Sequence, residues 1–417
     1  MDAVPGGQVG APPPSRPPEP AHRDRRTCVA RSSPVPLTPA GALVPDVARI
    51  AVLRSNFLGD LVLTLPALAA LRAAYPDAEL TYLGAPWHPE LLEGRPGPWD
   101  RVVVVPPWPG VRDAPGASRD SAEVRDFLAG QRDEGYDLAL QLHGGGGNSN
   151  PFVTALGARV TAGARDVGAP PLDRWLPYCS DQHEVLRCLE LVGLVGAVPA
   201  TLEPRLAVTP ADAAAADGVL PPGPEPLVAL HPGAQDPRRR WPAECFAALA
   251  GALASEGARV VLVGAGDDDR RAADAIRGAT TAPLLDLVGR LSLSALAGVL
   301  ARCRLVVAND SGPRHLAEAV GTATVGVFLE RNLLNAGPLT RRRHRVAVSV
   351  RTACPVCGVD QGRARCAHDA SLVAGVPLET VRAAALDLLE DSGPAVHAAA
   401  AAQEPRTSRR PGGRAAR

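Results

Sequence analysis

"VVANDSGPRHLAEAVGTATVGVF", residues 306–328, decides the fold. An apolar run from about residue 304 ends in Asn-Asp-Ser-Gly, and Pro313 then stands where a helix takes a proline without losing a hydrogen bond. "GPRHLAEAV" reads as that helix and "TATVGVF" as a second strand. Short, continuously apolar strands joined by helices belong to a parallel sheet covered on both faces. Asp310 and Ser311 then stand at a strand tip and helix start, where free amides and the positive end of the helix dipole can hold an anion.

The same alternation extends upstream. "LSLSALAGVLARC" (291–303) reads as a helix, "ARVVLVG" (258–264) and "PLVALH" (226–231) as strands, with helices from Ala243 and near residues 270–277. Further back, "ARIAVLR" (48–54), "AELTYLG" (78–84), "RVVVV" (101–105) and "DLALQL" (137–142) read as strands. "DLVLTLPALAALRAAYP" (60–76) and residues 122–132 read as helices. Residues 143–182 look irregular, and "HEVLRCLELVGLVG" (183–196) reads as a helix bridging two halves. The expectation is α/β, with two Rossmann-like domains facing a cleft, residues 46–200 and 201–392. Residues 1–45 and 393–417, proline-rich and low in complexity, are expected to be disordered.

Composition narrows the function. The formal net charge is zero, against a general nucleic-acid binder. There is no lysine, so arginine must serve wherever a cation is needed. No apolar run approaches the roughly 20 residues of a membrane span, and the first residues have no apolar signal core. A cytoplasmic protein is expected, touching at most the inner face of the plasma membrane. "RRRHR" (341–345) is a solvated loop or a contact for anionic headgroups.

Three strand tips carry chemistry. In "RSNFLGDLVLTLPAL" (54–68), Gly59 permits a tight turn, and Asp60 is either an ordinary helix cap or a general base aimed into the cleft. "HPGAQDPRRRWP" (231–242) puts three arginines between a buried strand and a helix, where open parallel sheets place their ligands. "VVLVGAGDDDRR" (260–271) holds Gly264 and Asp267 in a tight turn with acidic first-turn residues, or in contact with a ribose. It lacks the full glycine fingerprint of a dinucleotide site, which weakens a nicotinamide-dependent oxidoreductase.

Taken together, "LGDLVLTLPAL", "QLHGGGGNSNPFVTALGA", "LHPGA" followed by "RRWP", and residues 286–328 resemble glycosyltransferase family 9, the heptosyltransferase-like enzymes. The resemblance covers about residues 49–391. It implies a GT-B arrangement and inverting transfer of heptose or a related sugar from a nucleoside-diphosphate donor, with no metal required for catalysis. The acceptor it implies is a cell-envelope glycan, a glycolipid or a small-molecule scaffold.

Carried over, Asp60 resembles the acceptor-activating base. Arg239 stands where the family commonly has a lysine on the donor diphosphate, with Arg240 beside it, and Arg238, outside the match, is expected to matter little. Asp310, Ser311, Gly312 and His315 resemble the donor-binding loop and helix, with Gly233, Gly264 and Asp267 also on the donor side. His143 and Asn148, in the glycine-rich segment, and Gly59 are expected on the acceptor side. The other class to weigh is a non-catalytic nucleotide-sugar binder, a relic of the family, against which the retention of Asp60 and the arginine pair speaks.

"TACPVCGVDQGRARCAHD" (352–369) offers Cys354, Cys357, Cys366 and His368. A C-x-x-C pair with a later Cys and His has the donors of a tetrahedral structural zinc site; the alternative is free or redox-labile thiols.

Overall fold

The computed structural model describes residues 41–361 and 364–390 of the 417. The two tails expected to be disordered fall outside these residues, apart from the end of the first. There the chain joins the fold earlier than expected. The Gly41 amide donates to the Gly193 carbonyl, and Val44 is buried with its amide on the Tyr75 hydroxyl.

The first half runs β1 (Arg49–Leu53), α1 (Leu58–Ala74), β2 (Glu79–Gly84), α2 (His88–Leu92), β3 (Arg101–Val104), α3 (Ala122–Asp133), β4 (Leu138–Gln141), α4 (Ser149–Ala155), β5 (Val160–Arg165), β6 (Arg174–Pro177) and α5 (Glu184–Gly193). The second runs α6 (Pro210–Asp217), β7 (Leu227–His231), α7 (Ala243–Ser255), β8 (Arg259–Leu262), α8 (Gly266–Ala279), β9 (Leu284–Asp286), α9 (Leu293–Arg302), β10 (Leu305–Asn309), α10 (Gly312–Ala319), β11 (Ala323–Leu329), α11 (Glu330–Ala336), β12 (His344–Ser349) and α12 (Leu378–Glu390).

Each half builds one parallel six-stranded sheet, in the orders β3-β2-β1-β4-β5-β6 and β9-β8-β7-β10-β11-β12. Counted within each half, both follow the doubly wound order 3-2-1-4-5-6. The order reverses between β1 and β4 and again between β7 and β10, and sheets of this kind place their ligands beyond the strand ends at such a reversal.

Alternating side chains sort the core into layers. Ile50 and Val52 of β1 share a cluster with Val306 and Ala308 of β10, together with apolar residues of α1, α5, α9 and α10. Ala51 and Leu53 face the opposite way, with Phe152 and Val153 of α4, while Leu305 and Val307 face Phe246 of α7 and Val381 of α12. Helix α1 is buried along most of its length, from Leu61 to Leu68, which is why its sequence is apolar all round rather than striped. Its Pro66 is accommodated without ending the helix.

Residues 143–182 correct the expectation of irregular chain, since they hold α4, β5 and β6. "VTAGAR" lacks large apolar residues, yet its four central residues are buried, because small side chains suffice where neighbouring strands pack tightly. The "RRRHR" segment is also more structured than expected. His344 and Arg345 open β12, with the His344 ring 2.9 Å from the Thr324 hydroxyl and Arg345 on Asp387. Among the described residues, no helix is long and apolar enough to cross a membrane.

Candidate functional site

At the first reversal, Arg54 follows β1 and is only 3% exposed. Its guanidinium donates to Asp60 at 2.6 Å and to Glu184 of α5 at 3.2 Å, and also to the Leu142 carbonyl after β4. Phe57, not Asp60, is the N-cap of α1. Asp60 is the third helical residue, and its second carboxylate oxygen accepts from the Phe57 amide at 3.2 Å. The cap and base readings of Asp60 are therefore compatible, since one oxygen closes the helix start and the other meets Arg54. Its side chain keeps 27% exposure, so a ligand can reach it.

His143, at the tip of β4, accepts from the Ser55 amide at 3.2 Å. Burial, helped by the charge of Arg54, pushes its pKa down to about 4, so it is neutral near pH 7. Asn148 is exposed and accepts from Arg119, while its carbonyl accepts from the Trp108 indole. Those partners belong to the loop after β3, and among the described residues no hydrogen bond joins Asn148 to Asp60.

At the second reversal, Asp310 follows β10, 3% exposed. Arg239 donates to its carboxylate at 2.8 Å and Asn332 at 3.0 Å, and the His315 ring lies 3.4 Å away. Burial opposes the charged form, but the hydrogen bond from His315 and the charges of Arg314 and Arg239 outweigh it and hold the carboxyl at about 2. Burial, with Arg314 beside it, keeps His315 below its ordinary value. Arg314 is fully buried against the Phe328 ring and Glu318, and fixes the first turn of α10 from behind.

His231, the last residue of β7, lies 3.0 Å from the Ser311 hydroxyl and 3.4 Å from Asp269. Its Nε2–H is placed to donate to Asp269, while the Ser311 hydroxyl, with one proton, stands 3.0 Å from both its Nδ1 and the Asn309 carbonyl. Asp269 also accepts from the Ala265 amide, and a Cβ on either Gly233 or Gly264 would run into its carboxylate. These glycines thus admit Asp269 to the site. Asp267, expected on the donor side, is exposed in the first turn of α8, two residues short of the acid that turns inward.

Arg240 bonds the Ala234 carbonyl at 2.9 Å and Asp268 at 2.7 Å. Arg238 turns the other way, onto Asp236 and, at 2.6 Å, Gln361. The triplet is thus not a freely solvated run, because each guanidinium has its own partner.

The two sites face each other through glycine. A Cβ on Gly59 would lie 2.9 Å from the His315 ring, and one on Gly312 would lie 3.0 Å from Leu58. Gly59, expected on the acceptor side, therefore sits where the N-termini of α1 and α10 touch, with Asp60 next to it in sequence. Sequence reasoning missed Arg54, His231, Asp269, Asn332 and Arg314. His231 opens a stretch singled out for its arginines, but nothing in the sequence distinguishes a buried Arg54 or Arg314 from an arginine on the surface.

Cys354, Cys357, Cys366 and His368 come together with their ligand atoms all within 4.8 Å of one another. A tetrahedral zinc with sulfur ligands has ligand-to-ligand edges of about 3.8 Å, so three thiols and one imidazole at this spacing fit such an ion with small adjustments. The turn between the first two cysteines closes through the Gly358 amide on the Cys354 carbonyl, with Gly358 at a positive φ of 74°.

Residues 126–367 match the model of glycosyltransferase family 9 (heptosyltransferase). Lipopolysaccharide heptosyltransferase 2 of Salmonella typhimurium is 25% identical over 307 residues, 67% of this chain and 82% of that protein. Lipopolysaccharide heptosyltransferase 1 of Pseudomonas aeruginosa is 28% identical over 297 residues, 67% of this chain and 78% of that one. Among solved structures, a family 9 glycosyl transferase from Veillonella parvula superposes with a TM-score of 0.69 at 21% identity, covering 82% of this chain and 97% of that one. The ADP-heptose lps heptosyltransferase II of E. coli gives 0.63 at 21% identity, covering 82% and 98%. These two likenesses bear on the fold, and the pairing of two doubly wound sheets is the GT-B arrangement they share. The chain belongs to glycosyltransferase family 9, the heptosyltransferase family.

Proposed function

We propose that this chain moves a heptose or related sugar from a nucleoside-diphosphate donor to a hydroxyl of a cell-envelope glycan, a glycolipid or a small-molecule scaffold, with inversion at the anomeric carbon. The observation that carries the proposal is the contact of α1 with α10, which sets the Asp60 carboxylate beside a helix start equipped to bind an anion. Residues 46–200 would carry the acceptor and residues 201–392 the donor.

In this reading the diphosphate lies at the N-terminus of α10, near Ser311 and Gly312, with Arg239 and Arg240 beside it. Asp60 takes the proton of the acceptor hydroxyl, and the acceptor oxygen attacks the anomeric carbon on the face opposite the diphosphate. The bond from that carbon to the diphosphate oxygen breaks, and the electron pair leaves with the nucleoside diphosphate. Two guanidinium groups and the helix dipole stabilise the developing charge, so the chemical step needs no divalent metal. Arginine suits this place because its planar fork matches phosphate oxygens. Asp310 keeps Arg239 in position rather than meeting the diphosphate itself, since two anions would repel. Relatives named for lipopolysaccharide support a cell-envelope acceptor.

The test is a thermal-shift screen of ADP-, GDP- and UDP-linked sugars, followed by transfer assays with the hits in EDTA. Product analysis by NMR reads the anomeric configuration. A retained configuration, or turnover only with added magnesium or manganese, would overturn the mechanism, and a chain that binds donors yet transfers to no acceptor would be the non-catalytic relic.

A further inference from the structure

The cysteine cluster and the arginine loop are physically joined. Gln361 accepts a hydrogen bond from Arg238 at 2.6 Å and donates to the Cys366 sulfur at 3.1 Å. Beyond His368, the Ser371 hydroxyl donates to the Arg240 carbonyl at 2.6 Å, and the Leu372 amide donates to the Arg238 carbonyl at 2.8 Å. The residue between those two gripped carbonyls is Arg239.

The segment that does the gripping has little of its own to hold it. Between Thr352 and Asp369, Cys354 is the one buried residue among those described. A stretch that buries so little apolar surface depends on a cross-link to keep its shape, and metal ligation by thiolates and imidazole supplies one.

We infer that a thiophilic divalent cation, zinc in the first instance, binds Cys354, Cys357, Cys366 and His368, and that the ion braces the 238–240 loop so that Arg239 is preset for the diphosphate. This rests on the donor-side reading of Arg239 proposed above. The ion plays no part in the chemical step. Gln361 is a positioning residue that links the cluster to the loop.

The experiment compares zinc-saturated, zinc-stripped and Gln361→Ala protein. Zinc content is measured by mass spectrometry, amide hydrogen exchange reports on residues 236–241 and 371–372, and ADP affinity is measured by calorimetry. Zinc-saturated protein is expected to hold one ion per chain. Stripping is expected to speed exchange in both segments and weaken ADP binding about tenfold, the scale of one lost charge-assisted hydrogen bond. Gln361→Ala is expected to keep its zinc and still show faster exchange in the loop, which keeps the test valid if stripping unfolds the protein. Failure to take up zinc, or loop exchange that is the same in all three samples, would overturn the inference. Arg239→Ala separates it from the donor reading. If the loop responds to zinc while Arg239→Ala leaves ADP affinity unchanged, the brace stands and the donor assignment falls.

Discussion

The guanidinium of Arg54 lies 2.6 Å from the carboxylate of Asp60, and it also reaches Glu184 and the Leu142 carbonyl. Arg54 thereby connects the tips of β1 and β4 to α5 and aims the Asp60 carboxylate. Asp60→Asn should lower turnover by about 10²-fold or more, the scale of a general base, while leaving ADP affinity unchanged. Arg54→Lys should also lower turnover with ADP affinity intact, because a single ammonium cannot span the three partners. Steady-state kinetics and ADP titration on both variants, with folding checked by circular dichroism, test this. Full turnover in Asp60→Asn would leave the carboxylate as a helix cap only.

Gly59 has no room for a methyl group. A Cβ there would stand 2.9 Å from the His315 ring, which Asp310 and Arg314 hold in place and which is buried. Gly59→Ala should therefore push α1 away from α10, costing about 1–3 kcal/mol of stability, the usual scale of overpacking. Turnover should fall more than a change of stability alone explains. Equal activity at an unchanged melting temperature would show that the two helix starts need not touch.

How much of this was legible follows from what each element shows to a reader of sequence. β1, β4, β7 and β10 are apolar runs ended by polar residues, and their helices carry clear boundaries, so the doubly wound halves could be read directly. β5 could not be, because "VTAGAR" is buried through small residues and gives no apolar signal. The loop proposed to meet the donor drew notice at Asp310, Ser311 and His315 because a Gly and a Pro mark one helix start directly after an apolar strand. Asp269 was not, because three aspartates in a row look equivalent until the geometry of Gly233 and Gly264 selects one. The triple arginine could be placed at a strand tip where open parallel sheets hold ligands, but nothing in three identical residues shows that folding sends their side chains to three different partners.

Acid should destabilise the protein before most carboxylates titrate. His88 and His143 are each held at about 4, chiefly by burial, against an unfolded value of about 6.5. A group depressed in the folded state contributes stability that is complete above its unfolded pKa and is lost as pH falls to its folded pKa. For these two the loss runs from pH 6.5 to about 4, on the order of 3 kcal/mol each. Asp310, depressed to about 2, adds a further loss only below pH 3.8. Urea unfolding at pH 7.5, 5.5 and 4.5 should show decreasing stability, and His143→Gln should flatten part of that slope. A constant midpoint across the three pH values would contradict neutral, buried imidazoles.

The arginine triplet gives the last prediction. Arg239 faces Asp310, Arg240 faces Asp268, and Arg238 faces Asp236 and Gln361, so the three should differ in kind. If the leaving diphosphate meets Arg239, charge develops there most in the transition state, and the side chain contributes more to the chemical step than to ground-state binding. Arg239→Ala should then lower turnover by roughly 10²-fold, and Arg239→Lys should recover much of it. Arg239→Ala also strips one cation from a buried carboxylate, with a stability loss of about 1–3 kcal/mol that Lys largely restores. Arg238→Ala, whose contacts shape the loop and do not meet the substrate, should lower turnover only severalfold, through a less firmly held Arg239 and by much less than Arg239→Ala. Kinetics separating kcat from KM, with melting temperatures for each variant, distinguish these roles. Were Arg238→Ala to cost as much turnover as Arg239→Ala, the diphosphate would have to sit on the cysteine side of the loop, where Gln361 rather than Asp310 shares the guanidinium.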